Sequence, residues 1–95
     1  APKALTINFS PSTHCAANEC IIIVSTDFSQ AISNFHLIQD NPAVSQINRN
    51  CTPKQCLVML RITRQNKLLL RFRFIYHHHW QQINYTYHLP SYYAS

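Results

Sequence analysis

Leu68, Leu70, Phe72, Phe74 and Tyr76 alternate with Leu69, Arg71, Arg73 and Ile75 along the stretch from Lys67 to Tyr76. A period of two with side chains of this kind predicts a β-strand. Its first face is wholly apolar and must be buried. The second carries two arginines at its middle and cannot enter a dry core without counter-charges. A sheet with one covered face and one accessible basic face satisfies both.

Similar patterning predicts further strands. Ala4 to Phe9 alternates Leu5, Ile7 and Phe9 with polar residues and is expected to end at Pro11. Cys20 to Thr26 is uncharged and rich in β-branched residues, as expected of a central strand. Ile83, Tyr85 and Tyr87 alternate in a last strand that Pro90 stops. Between Asn50 and Arg64 two readings compete. Thr52-Pro53-Lys54-Gln55 resembles a helix start, whereas Leu57 to Thr63 suits a strand. The strand reading is preferred, as the first arm of a hairpin with residues 67–76, turning through Arg64-Gln65-Asn66. One segment breaks the pattern. Asp27 and Gln30 match a capping box, and Phe28, Ile32, Phe35 and Gln39, with Ala31 and Ile38 beside them, approximate one helical face, which predicts a helix over Phe28 to Asp40. Asn41 and Pro42 could open a short further turn toward Ile47. The expected fold is thus a small disulfide-bonded α+β domain, mainly antiparallel β-sheet with one helix on one face.

Composition sharpens this picture. The chain has 95 residues, which suits a single domain spanning 1–95 with a small core. Four cysteines, spaced as Cys15-x4-Cys20 and Cys51-x4-Cys56, read as two disulfides that compensate for it. All three pairings are open. Links between the two segments would be worth about 3–4 kcal/mol each, while local links would constrain less. Three N-glycosylation sequons begin at Asn8, Asn50 and Asn84. Pro11 and Pro53 directly follow the first two, and Cys51 lies within the second, so Asn84 is the preferred acceptor. Sequons, paired cysteines and an opening at Ala1 rather than methionine favour a secreted, cell-surface or lumenal location. Glycine is absent, which removes phosphate-binding loops and nucleophile elbows and leaves Asn18, Asn41, Asn48 and Asn66 to take left-handed turn positions.

The net charge of +5 points to an anionic or acidic partner surface. Arg61, Arg64, Lys67, Arg71 and Arg73 would collect on the expected hairpin, bordered by the aromatic residues Trp80, Tyr85 and Tyr87, and this set forms the candidate binding surface. His77, His78 and His79 invite a metal assignment, but adjacent residues of a strand face opposite ways and no third ligand is specified, so no metal and no cofactor is assigned. Two histidines and a cation for a ribonuclease-like site exist in the chain, without a motif that joins them; no catalytic residue is assigned. The sequence therefore reads as a non-enzymatic interaction domain of a glycoprotein with a protein partner. Anionic glycans or lipids are the alternative ligands for a secreted effector, and a small nuclease-like hydrolase is a further alternative. Nucleic-acid binding lacks a motif, whereas exposed tyrosines and a free strand edge suit a homo-oligomer.

Overall fold

Among the described residues the chain forms seven strands: β1 (Ile7–Ala16), β2 (Glu19–Phe28), β3 (Ser33–Leu37), β4 (Val44–Thr52), β5 (Gln55–Thr63), β6 (Lys67–Tyr76) and β7 (His79–His88). The structure is a computed structural model and describes residues 4–16, 19–63 and 67–89. Four strands form one sheet in the order β1-β2-β5-β4, and three form another in the order β3-β6-β7. Every pairing is antiparallel. This is the strand arrangement of seven-stranded sandwiches of the immunoglobulin constant type.

The core lies between the sheets. Cys20, Ile22 and Val24 from β2 and Val58, Leu60 and Ile62 from β5 meet Leu68, Leu70, Phe72 and Phe74 from β6 in one buried cluster. Immunoglobulin domains join their sheets at this place with a disulfide and a tryptophan. Here phenylalanines take that role. Phe35 on β3 stacks on Phe72 with ring centroids 4.8 Å apart, and Phe28 on β2 meets Phe35 at 5.4 Å and Phe74 at 5.5 Å. Phe9 on β1 reaches Phe72 at 5.9 Å, so all five phenylalanines of the chain join one assembly that spans both sheets. Such pairs add about 0.5–1.5 kcal/mol each beyond the area they bury.

The fold corrects the expected α+β class: no helix occurs among the described residues. Between Phe28 and Asp40 the chain leaves β2, loops, and runs through β3. Apolar residues at helical spacing are buried there for a different reason. Phe28 ends one strand, Ile32 anchors the loop, and Phe35 and Leu37 are alternate residues of the next strand. Backbone donors at its start go to distant partners: Phe28 N–H to the Lys54 carbonyl at 2.8 Å, Ser29 N–H to the Thr6 carbonyl at 2.9 Å, and Ile32 N–H, which a helix would have bonded to the Phe28 carbonyl, to the Pro53 carbonyl at 2.8 Å. Pairing with β6 and bonding to the β4–β5 turn outweigh a local helix preference of a few tenths of a kcal/mol per residue, roughly. At Asn41 the side-chain oxygen accepts the Ala43 N–H at 3.0 Å, and Val44 N–H returns to the Asn41 carbonyl at 3.0 Å. That turn leads into β4 and not into further helix.

Two other boundaries shift. β1 continues through Pro11 to Ala16 because it is an edge strand bonded only to β2, where a missing N–H is tolerated. The expected hairpin between residues 57–63 and 67–76 is also overturned, although both segments are strands. β5 has β2 and β4 as its two neighbours, and β6 lies in the other sheet. Arg64 and the expected turn residue Asn66 lie outside the described residues.

The cysteines close local hairpins. Cys15 is bonded to Cys20, directly opposite it in the β1–β2 register, and Cys51 to Cys56 in the β4–β5 register. Left-handed backbone falls on Asn34 (φ 56°), His77 (φ 51°) and His78 (φ 66°). Asn41 and Asn48 do not take it, and Asn18 lies outside the described residues. His77 and His78 are the two loop residues between Tyr76 and His79, so both central positions of this hairpin have positive φ, the signature of a type I′ turn. A side chain at such a position costs about 1–2 kcal/mol relative to glycine. Replacing His77 by Asn and His78 by Gly is expected to stabilise the fold by about 1–2 kcal/mol. Urea unfolding should show a higher midpoint with unchanged slope, and an unaltered midpoint would contradict the turn assignment.

Candidate functional site

Strand parity divides the residues of the three-stranded sheet into two sets. Leu68, Leu70, Phe72 and Phe74 go inward from β6, leaving Leu69, Arg71, Arg73 and Ile75 on the outer face. In the β6–β7 register Ile75 stands opposite Trp80, Arg73 opposite Gln82, and Arg71 opposite Asn84, so Trp80, Gln82 and Asn84 share that outer face. His36 of β3 lies on the other side of Arg73. The result is an open face built from β3, β6 and β7.

Trp80, Arg73 and His36 form its most organised part. The Arg73 guanidinium lies 4.9 Å from the centre of the Trp80 ring, a cation–π contact worth about 0.5–1 kcal/mol at an exposed site. His36 meets the same indole edge-on, with centroids 5.9 Å apart and planes at 82°. Local backbone places His36. Asn34 takes a left-handed conformation where the β3–β6 register shifts between Ser33 and His36, and its carbonyl oxygen accepts a hydrogen bond from His36 Nδ1 at 2.9 Å. The bulge thereby sets the imidazole against the indole. Even so, Trp80 remains 50 % exposed.

The cations of the expected hairpin are dispersed. Arg61 belongs to β5, on the outer face of the four-stranded sheet, where Nε is 3.5 Å from a carboxylate oxygen of Glu19. Arg71 does lie on the candidate face, but it is ion-paired with Asp40. Lys67 is exposed at the far end of β6, opposite His88. Arg73 has no carboxylate partner among the described residues and is the cation directed at an aromatic surface. Exposed ion pairs of the Arg61–Glu19 type contribute about 0–1 kcal/mol, so they offset charge more than they stabilise.

Tyr85 and Tyr87 separate from Trp80 by the same parity. Both are half-buried on the inner side of β7. Tyr85 stacks on Phe9 at 4.5 Å, and the Tyr87 hydroxyl bonds to the Thr13 hydroxyl of β1. Burial, followed by the neighbouring Tyr87, pushes the Tyr85 phenol above its ordinary value, as expected of a ring engaged in packing. These two tyrosines join β7 to β1 across the sandwich. His36 is the residue that sequence reasoning missed, because its approach to Trp80 depends on the β3–β6 pairing.

Asn8 and Asn50 are exposed on the outer face of the four-stranded sheet, on its two edge strands, whereas Asn84 is exposed on the candidate face. His77, His78 and Ile75 line an open depression of about 290 Å³ with Ala31, Ile32 and Ser33. Among the described residues no three histidine, cysteine, aspartate or glutamate side chains converge as metal ligands would. No protein-family model matches the chain, and no curated protein or solved structure is similar enough to carry an argument about it. What stands is a small disulfide-bonded antiparallel β-domain with an aromatic cluster, a construction consistent with a compact interaction module.

Proposed function

We propose that this chain is a non-enzymatic interaction domain of a secreted, cell-surface or lumenal glycoprotein, and that it binds a protein partner through the outer face of β3, β6 and β7. The observation that supports this reading is the half-exposed Trp80, flanked by Arg73 and His36 on the three-stranded sheet. Tryptophan and arginine are the residues most often found at the energetic centre of protein interfaces, and a ring already fixed by neighbours loses little side-chain entropy on binding. Ion-pairing of Arg61 and Arg71 weakens the case for a ligand recognised by charge alone. The alternative as a secreted effector on anionic glycans or lipids rests on the remaining positive balance of the chain.

The test uses a biotinylated tetramer of the secreted chain applied to intact cells, to immobilised heparin and to phosphatidylserine vesicles. Saturable cell binding is expected to disappear after protease treatment of the cells and to survive removal of their glycosaminoglycans. Trp80→Ala should weaken it about thirtyfold, the size of an interface hot spot, while Arg61→Ala on the opposite sheet should not change it. Binding that follows heparin or vesicles and falls steeply with salt would favour the effector reading. Unchanged binding by both Trp80→Ala and Arg73→Ala would exclude this face. Intact mass before and after glycosidase treatment checks the glycoprotein assignment independently.

A further inference from the structure

A two-sheet sandwich of this order has four edge strands, β1 and β4 in one sheet and β3 and β7 in the other. Three are protected against pairing with another chain in recognised ways. β1 carries Pro11, β3 has only five residues and a register shift, and β4 is interrupted between Gln46 and Asn48 and carries Arg49. β7 is different. It runs ten residues in unbroken register with β6, and its sequence HWQQINYTYH contains no proline, lysine, arginine or carboxylate.

Hydrogen-bond phase shows which groups this edge offers. A two-residue loop makes Tyr76 and His79 a mutually bonded pair, and bonding alternates from there. Residues 79, 81, 83, 85 and 87 are therefore bonded to β6, and Trp80, Gln82, Asn84, Thr86 and His88 direct their backbone N–H and C=O groups away from it. The same alternation on the far side of β6 agrees, since the Arg71 carbonyl accepts the N–H of Ile38 beyond β3. All five outward-bonding residues are exposed.

We infer that this edge pairs antiparallel with β7 of a second copy, joining two three-stranded sheets into one of six strands, and that a glycan on Asn84 prevents the pairing. A twofold axis through an uncharged strand brings no like charges together, and a strand paired with itself closes the assembly at two copies. In the registers with most overlap, Asn84 of one copy is directly opposite or diagonal to Asn84 of the other, about 5.5–8 Å away on the same face. Two branched glycans do not fit there. The glycan part rests on the glycoprotein reading proposed above, whereas the edge pairing does not.

Sedimentation velocity on the secreted protein at tens of micromolar tests both parts. Protein with Asn84 occupied should be monomeric, Asn84→Gln should be dimeric, and adding Gln82→Pro should restore the monomer. Proline at position 82 removes an outward N–H and no bond to β6. Gln82→Lys, a charged edge guard, serves as the second variant should proline impair folding. If wild-type protein lacks a glycan at Asn84, it should itself dimerise and respond to Gln82→Lys, which overturns the glycan part and keeps the edge. Monomeric Asn84→Gln protein, or a dimer indifferent to both substitutions at Gln82, overturns the edge pairing.

Discussion

Truncating Phe72 to alanine is expected to remove about 3–5 kcal/mol of stability, the largest loss of any single substitution considered for this chain. Phe72 is fully buried at the middle of the central strand of its sheet, stacked on Phe35 from β3 and touched by Phe9 from β1. Its ring thus holds both a neighbour in its own sheet and the opposite sheet. Domains of this size have about 5–15 kcal/mol in total, so the variant should lose a large part of its margin. The thermal midpoint should fall by more than about 15 °C. Leu69 provides the control, being three positions earlier on the same strand but on the outer face and 51 % exposed. Leu69→Ala should change stability by no more than about 0.5 kcal/mol. Comparable losses from the two substitutions, in urea unfolding followed by far-ultraviolet circular dichroism, would refute the two-faced reading of β6.

The contrast between these residues was legible in the sequence because alternation along Lys67 to Tyr76 is strict and the strand is long. Buried β2 was legible for a related reason, as its uncharged β-branched run fits little else. Misreadings arose where a local signal competed with a distant partner. Phe28, Ile32 and Phe35 have helical spacing, yet the groups that fix their backbone lie in the β4–β5 turn and in β6, more than twenty residues away in sequence for the turn. The short connection from β5 to β6 suggested a hairpin, but both edges of β5 are taken by β2 and β4.

For the candidate face, parity along β7 held information that grouping by residue type concealed. Trp80 and Gln82 alternate with Ile83, Tyr85 and Tyr87, so the tryptophan and the tyrosines belong to opposite sides of one strand. Arg71 and Arg73 share the outer side of β6 by parity alone, while pairing of Arg71 with Asp40 depends on the path of the loop after β3. The absence of glycine also had a consequence that sequence alone located poorly: among the described residues, left-handed positions fall on the two histidines of the β6–β7 loop and on Asn34 at the β3–β6 register shift.

Reducing both disulfides should cost about 4 kcal/mol, roughly 2 kcal/mol for each bond on the chain-entropy estimate for loops this short. Each bond joins cysteines five positions apart and directly opposite one another in a single hairpin, and neither connects the two sheets. Their contributions should therefore be independent. The Cys15–Cys20 link acts on β1 and β2, the Cys51–Cys56 link on β4 and β5, and distant sites add to within about 0.5 kcal/mol. Replacing Cys15 and Cys20 together by alanine, then Cys51 and Cys56, then all four, should give two similar losses and their sum in urea unfolding. A loss near 8 kcal/mol for the fourfold variant, or a marked departure from additivity, would instead indicate bonds that join the two hairpins. With local bonds the burden of holding the sheets together stays on the phenylalanine cluster, so the reduced protein should remain folded at low temperature, whereas reduced Phe72→Ala should not.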